Sequence, residues 1–581
     1  MRLSSHLAGR LIAVSLIGLL ACSSDDDPTA PTVDPPLGLQ VTATGSSTIR
    51  VAFNGRAVDD SYTLERAEGA AGNFASVTTI NAPNVDGPLT YDDTGLNVQT
   101  QYRYRVKATR GSASSGYTGE QSTTTLATGT FSKVITGDIT TSTTWHRDTT
   151  YTLNGFIHVA NGATLTIEAG TTIKGDFNTV GSSLFILRGA KIMAIGTAAL
   201  PIVFTSSQPV GQRKPGDWGG LILIGNGVLS RTGVTISLEG SGTDVGTAPG
   251  TNYDVTYSGG TVNTDNSGEL RYVRVEFAGY APTLNAELNS FSFAAVGSGT
   301  KLSYLQAMAG LDDSFEFWGG AADASYLVSY ESGDDHFDMS EGYQGRMQYL
   351  IALQTTQIPQ RTGAGSLAAD PQGIENDGCF GTGCTNGGNT TPYTSPVVAN
   401  FTLIGTNDAA KSGSTGGVGM MLRRGTGGFY VNGIVDRWPR GAVSIRDPET
   451  YARAANTGTP DLATTDLAVR NLLITETTLA FQTGTGQNSF DMAGNSIVLD
   501  AAATATSLLT AFPATIGTTT TAAAFDWTPT AASAAATGGL ATFTGKLAAA
   551  AGTAVTATAY RGAAAPGGPK WWQGWTIYAQ Q

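Results

Sequence analysis

The chain has 581 residues, enough for two or three domains. Only 14% of them are charged, against roughly 25% in ordinary soluble proteins, while 40% are hydrophobic, which excludes a disordered polyampholyte. A net charge of −13 leaves no Lys/Arg excess to displace counterions from nucleic acid, and three cysteines and four histidines exclude most zinc, haem and iron–sulfur chemistry. With 75 glycines and many Thr and Ala, the composition favours short strands and tight turns, predicting an all-β protein outside the cytoplasm.

Residues 1–21 pair a short basic region, Arg2 and Arg10, with an apolar run from Leu11 to Ala21. That run is too short for a stable membrane span and reads as a secretory signal. It ends in Leu19-Leu20-Ala21-Cys22, which resembles the lipobox of bacterial lipoproteins. The resemblance implies lipidation of Cys22 after cleavage, with several acyl chains supplying a stable anchor. Residues 22–36 are acidic and Pro-containing, a composition that stays extended as a tether. Ser23-Ser24-Asp25-Asp26-Asp27 is similar to a surface-export signal of some Gram-negative bacteria, and equally fits a solvated spacer. The expected address is the outer membrane, lipid-anchored and facing the cell exterior.

Residues 37–127 hold seven short alternating segments: LQVTATG, TIRVAFNG, SYTLERAEG, FASVTTI, LTYDDTG, YRYRVKATR and EQSTTTL. Seven strands at this spacing predict an immunoglobulin-like sandwich, here without its cysteine pair. Leu96-x-x-x-Thr100-x-Tyr102-x-x-x-Val106 resembles the penultimate-strand signature of fibronectin type III domains. That likeness implies a corner role for Tyr102 and puts Phe53 where a core Trp is usual. Arg110-Gly111-Ser112 falls short of an RGD sequence and reads as a turn.

From residue 131 to 581 the chain repeats. SYLQAMAG at Ser303 returns as SYLVSYESG at Ser325; Asp312-Asp313 returns as Asp334-Asp335; Phe293, Phe315 and Phe337 are equally spaced, all at 22 residues. Tyr349 follows Tyr326 after 23. A period near 22 with three short strands per repeat predicts a right-handed parallel β-helix, whose coils stack at about 4.8 Å and form side-chain ladders. A leucine-rich repeat lacks its consensus here, and 22 residues are too few for a propeller blade. The phenylalanines are expected to stack inside, and Asn400, Asn432, Asn471 and Asn495 to form an amide ladder at a turn. ATLTIEAGTTIKG, PIVFTS, GDWGGLILIG, LRYVRVEFAGY, DDSFEFWGG and WWQGWT resemble a set of bacterial secreted and surface β-helix proteins, most without established activity. The Ala/Thr-rich stretch near 500–555 reads as a loose coil or a long insertion.

Stacking brings Asp312, Asp313, Glu316, Asp334, Asp335 and Asp338 onto adjacent coils, where like charges repel unless a cation bridges them or some protonate. Three readings follow: a Ca²⁺ site, a carboxylate pair for glycan hydrolysis, or an acidic ladder capping turns. The Asp-Asp pair is similar to one in pectin-degrading β-helix hydrolases, whose His-Gly and Arg-x-Lys elements are not apparent here. Pectate lyases combine Ca²⁺ with an Arg base, making Arg346 a candidate beside Asp334, Asp335 and His336. GGVGMMLRRGTGG reads as glycine-rich coil turns. No Ser/His/Asp order or phosphate loop in a strand-to-helix setting is evident. Cys379 and Cys384 predict a small-loop disulfide in an oxidising envelope. Lys570-Trp571-Trp572-Gln573-Gly574-Trp575 is expected to cap the last coil, or to stack on sugars. The functional expectation is ligand or matrix binding with polysaccharide or a surface protein as partner and no nucleic acid. The alternatives are a polysaccharide lyase or glycosidase and a structural surface component.

Overall fold

The computed structural model describes residues 32–126, 131–241, 255–281, 286–365, 370–454, 461–477, 479–482 and 491–578. The signal sequence, Cys22 and most of the tether lie outside the described residues. The chain divides into two compact units at Thr128 and Gly129.

The first unit is an antiparallel sandwich of fibronectin type III type. Leu37–Gly45, Thr48–Gly55 and Gly87–Thr94 form one sheet. Ala75–Asn81, Ser61–Glu68 and Gln101–Arg110 form the other, with Ala113–Ser114 and Gln121–Thr124 pairing to the last of these. Alternating residues meet in the core, among them Ile49, Val51, Leu64, Tyr104 and Val106. Phe53 fills its expected core place edge-on to Tyr62, with ring centroids 5.0 Å apart. The Tyr102 hydroxyl accepts a hydrogen bond from the Asn97 amide at 2.9 Å, tying the strand to the preceding loop.

The second unit is a right-handed parallel β-helix with three ladders of strands. One ladder has its own nine-stranded sheet, running from Phe156–Val159 through Phe315–Trp318 and Phe337–Ser340 to Gly441–Ile445. The other two merge into a 17-stranded sheet because five long strands pass the corner between them unbroken. Four of those strands turn at a left-handed tyrosine, Tyr272, Tyr304, Tyr326 and Tyr349, and the fifth at Asn400. Asn432 and Asn471 continue the same corner, also left-handed, a conformation the short Asn side chain tolerates. The asparagines therefore share a corner, but Ser496 rather than Asn495 occupies its last step. Their side-chain amides do not bond one another, although the Asn471 backbone amide donates to the Asn495 carbonyl at 3.0 Å. Asn400 and Asn432 donate to Thr558 Oγ1, at 2.8 and 3.1 Å, and Asn471 donates to the Gly538 carbonyl at 2.9 Å.

The interior aromatic stack exists in a shifted register. Phe315 stacks on Phe291 at 5.0 Å and on Phe337 at 5.5 Å, whereas Phe293 lies over Phe317 at 4.7 Å. The 22-residue spacing of Phe293 and Phe315 is therefore not a structural repeat. The coil between Phe291 and Phe315 is two residues longer, which moves Phe293 one inward position along its strand.

The last ladder strand is Val498–Asp500, and residues 501–578 are not coils of the helix. They carry a small antiparallel pair, Leu509–Ala511 with Asp526–Pro529, and two short helices, and return along one face of the stack. That face is apolar outside as well as inside: Met308, Val328, Tyr330, Ile351, Leu353, Ile404 and Leu473 are all buried under Phe512, Phe525, Trp527, Trp572 and Trp575. The terminal tryptophans consequently do not cap the last coil. Trp575 meets Tyr272 and Tyr304 edge-on at 5.6 and 6.2 Å, and Trp571 meets Tyr326 at 5.2 Å. Trp572 and Trp575 are 1% exposed, so neither offers a face to a sugar. The outward apolar face and the tyrosine corner need cover from water, and the returning chain supplies it.

Candidate functional site

On the nine-stranded sheet, side chains alternate between the interior and the outer face. Phe315, Phe337 and Ile374 point inward, so Glu316, Asp338 and Glu375 pair outside as one ladder. Two residues further on, Trp318, Ser340 and Asp377 line the same outer face, and Arg423 pairs with Asp377 in the next coil. The turns leading into these strands add Asp312-Asp313, Asp334-Asp335 and Asp370. Together with Glu239, Glu287 and Glu341, they line a cleft of about 580 Å³ in which twelve carboxylates face three guanidiniums, those of Arg231, Arg423 and Arg424.

Part of this array caps turns. Asn289 Oδ1 accepts the Asp313 amide at 3.0 Å, Asp313 Oδ1 accepts the Asp335 amide at 2.8 Å, and Asp335 Oδ1 accepts the Gln372 amide at 2.7 Å. Asp334 Oδ1 accepts the Asp370 amide at 3.2 Å. Some carboxylates are paired with cations: Arg423 with Glu375 and Asp377, Arg424 with Asp377, and Arg231 with Glu341 at 3.0 Å.

Other oxygens of the array have no such partner among the described residues. Asp312 is 6% exposed, and no ion pair among the described residues reaches its carboxylate. Asp338 Oδ1 and Glu341 Oε2 are also buried without partners. Burial, then repulsion from neighbouring carboxylates, pushes Asp312, Asp313, Glu316, Asp335 and Asp338 far above the ordinary carboxylate range. The same causes raise Asp334 and Glu375 to about 8. Like charges 4 Å apart repel by about 4 kcal/mol even at an effective dielectric of about 20. An array this dense therefore holds protons or metal ions at neutral pH.

Oxygens of three triplets, Asp312/Asp313/Asp334, Asp313/Glu316/Asp338 and Asp335/Asp338/Glu375, lie within 4.8 Å of one another. Oxygen ligands sit about 2.3–2.6 Å from Ca²⁺, so two on one ion can be up to about 5 Å apart. The triplets match that reach, and Asp338 Oδ1 supplies an acceptor with no other partner among the described residues. Among the described residues the cleft lining contains no His or Cys, which suits a hard cation rather than zinc.

All six carboxylates expected from the repeat thus converge. The other two candidates do not join them. His336 is fully buried on the interior side, 6.2 Å from the Trp438 ring, with Nδ1 2.5 Å from Ser329 Oγ. Burial lowers it to about 3, so it is a neutral core residue. Arg346 lies on the other sheet, locked to Asp323 at 2.6 Å and absent from the cleft. Sequence reasoning missed Glu375 and Asp377, because a long loop stretches that repeat from 22 to 37 residues. It also took the Arg423-Arg424 segment for plain coil turns. Cys379 and Cys384 form the expected disulfide, and its loop places Phe380 at the cleft.

Parallel coils with one charged outer face define a β-helix protein whose site lies across stacked strands. The chain belongs to the pectate-lyase-like beta helix domain family, whose model matches residues 137–530. Solved structures similar to part of the chain are fibronectin type III domains. An Fn3-like protein from Clostridium thermocellum is 22% identical, covering 16% of this chain and 92% of that one, with a TM-score of 0.14. The FN5 domain of Drosophila Lar is 18% identical, covering 16% and 99%, with a TM-score of 0.14. An FN3 domain of human collagen XX is 18% identical, covering 17% and 99%, with a TM-score of 0.13. No curated protein matches the chain.

Proposed function

We propose that this is a lipid-anchored surface protein whose β-helix binds polysaccharide through Ca²⁺ held in the acidic cleft. The observation that carries the reading is the buried Asp338 Oδ1, without a partner among the described residues and set within two carboxylate triplets of cation-binding dimensions. Asp312, Asp313, Glu316, Asp334, Asp335, Asp338 and Glu375 would hold the ions. A bound ion cancels repulsion among them and leaves coordination sites for sugar carboxylates or hydroxyls. Membership of a pectate-lyase-like family supports a carbohydrate-related role at family level. Leu19-Leu20-Ala21-Cys22 and the acidic tether support display from the outer membrane.

Cleavage is the second reading. It is favoured by carboxylates raised to about 8, which keep a proton for a leaving group near neutral pH. Arg423 and Arg424 are the guanidiniums placed to assist, though both are engaged with Asp377. The deciding experiment titrates the full chain with Ca²⁺ by calorimetry, then measures polysaccharide binding and product release with Ca²⁺ and with chelator. Ca²⁺-dependent retention without products is the expected result. Products lost in Asp334→Asn and Asp335→Asn would establish cleavage. Absence of both ion and glycan binding would leave only the turn-capping role.

A further inference from the structure

Resting on the polysaccharide reading of the cleft, we propose that Phe380 is a stacking platform for a sugar ring, held at the cleft mouth by the Cys379–Cys384 disulfide. Only two aromatic side chains among the described residues are strongly exposed, Phe131 and Phe380, and only Phe380 lines the cleft. Phe380 is 63% exposed. An apolar ring left in water on a mobile loop gains nothing, but its loop is fixed at four points.

The loop leaves the strand Ile374–Asp377, whose Glu375 and Asp377 already face the cleft. The disulfide closes it after five residues, with Cys379 buried. On its far side, the Thr382 carbonyl accepts Arg231 Nε at 2.9 Å, and the Gly383 carbonyl accepts the Thr232 amide at 3.2 Å. Gly383 itself is left-handed at φ +95°, and a Cβ there would come within 2.8 Å of Val234, so this docking requires glycine. Arg231 also pairs with Glu341, so one side chain joins loop and cleft.

The ring is oriented as well as anchored. The Arg424 guanidinium lies 4.2 Å from its centroid, while also pairing with Asp377. Such a pre-set ring presents a flat apolar surface beside a polar, charged cleft. A pyranose has that dual character, with an apolar face of C–H bonds and an equatorial rim of hydroxyls or carboxylates. Its C–H face would lie on Phe380 while its rim reaches the ions and arginines. An aromatic anchor fixed before binding loses little conformational entropy on contact.

The test uses the full chain in Ca²⁺, with polygalacturonate, alginate and xyloglucan as probes, and compares wild type with Phe380→Ala, Phe380→Trp and the double variant Cys379→Ser/Cys384→Ser. Phe380→Ala is expected to weaken binding about tenfold, equivalent to about 1.4 kcal/mol, without changing Tm or Ca²⁺ affinity. Phe380→Trp should retain binding and change its emission as glycan is added. The double serine variant should lose affinity in the same direction as Phe380→Ala. Undiminished binding by Phe380→Ala overturns the platform while leaving the cleft reading intact. Undiminished binding by the double serine variant removes the disulfide from the proposal. Wild type that binds none of the probes overturns the polysaccharide reading, and the platform with it.

Discussion

The carboxylate of Asp313 accepts the backbone amide of Asp335 in the next coil at 2.8 Å, and it also belongs to two carboxylate triplets, one with Asp312 and Asp334 and one with Glu316 and Asp338. One side chain therefore serves the solenoid and the cleft together. Asp335 repeats the arrangement by accepting the Gln372 amide one coil further on. The turn-capping and cation-binding readings of these repeats are not exclusive, because each Asp has two oxygens to spend.

That division of labour separates two substitutions at one position. Asp313→Asn keeps an acceptor for the Asp335 amide but removes a charge from the cluster. It is expected to raise Tm in chelator and to weaken Ca²⁺ binding. Asp313→Ala leaves a buried amide unsatisfied, at a cost of about 1–3 kcal/mol, and should lower Tm with or without Ca²⁺. Thermal unfolding of both variants in EDTA and in Ca²⁺ checks the pair. Equal destabilisation by Asn and Ala would refute the charge-repulsion account.

The raised carboxylates also fix a sign for pH. Burial and neighbouring charge raise Asp334 and Glu375 to about 8 in the folded protein, against about 3.9 and 4.3 in an unfolded chain. The folded state thus binds more protons between those values, so stability is fullest below about pH 4 and is lost as pH rises through about 8. In chelator, Tm should fall between pH 5 and pH 8, and Ca²⁺ should flatten or reverse the slope by replacing protons. A chelated protein whose Tm holds or rises over that interval would show that the carboxylates ionise without penalty.

Arg346 provides a control on where the site lies. Its guanidinium is bound by both oxygens of Asp323 on a different sheet from the acidic ladder. Arg346→Ala should lower stability slightly, within the range of about 0–1 kcal/mol for exposed pairs, and leave Ca²⁺ and glycan binding unchanged. Loss of binding in this variant would move the site to the other sheet.

Much of this was legible because repeated spacing reports stacking directly. Asp312-Asp313 over Asp334-Asp335, and Tyr304 over Tyr326, follow from the period of 22. The failures came where spacing and register part company. Phe293 and Phe315 share the period by coincidence, since two extra residues in the intervening coil shift the register. Glu375 was hidden by a loop that lengthens one coil without moving its strand out of the ladder. His336 lies among acidic residues in sequence, but it sits in the turn before its strand, where it is buried against Ser329. The returning C-terminal segment left no periodic trace, because it packs on the coils without repeating them. Its one signal was the apolar run on both faces of strands such as Arg346–Leu353, which demanded cover.

That cover makes the C-terminus part of the core. Trp575 is 1% exposed, its carbonyl accepts Arg274 at 2.9 Å, and its ring closes the Tyr272–Tyr304 corner. Trp575→Ala should cost about 3–5 kcal/mol as a large buried truncation and open residues 501–578 to protease before the coils. Limited proteolysis followed by mass spectrometry reads the order of cleavage. First cuts within the coils would show that the returning segment is not the weak layer.

Arg423 gives the sharpest link between stability and metal. Burial opposes its charge, but Asp377 and Glu375 more than offset this and hold the guanidinium cationic. Removing one partner of a buried pair costs about 3–5 kcal/mol because the other charge is stranded. Arg423 keeps 26% of its side chain in water, which puts the expected loss at the lower end. Arg423→Ala leaves Glu375 beside Asp338 and Asp335 with less positive charge to balance them. The variant should therefore be clearly less stable than wild type in chelator and regain more of its Tm on adding Ca²⁺. Its Ca²⁺ affinity should rise, since the triplet of Asp335, Asp338 and Glu375 loses a competing cation. Calorimetric titration and paired melts measure both quantities. A variant equally destabilised in chelator and in Ca²⁺, with unchanged affinity, would mean that Arg423 and the ion do not share the same carboxylates.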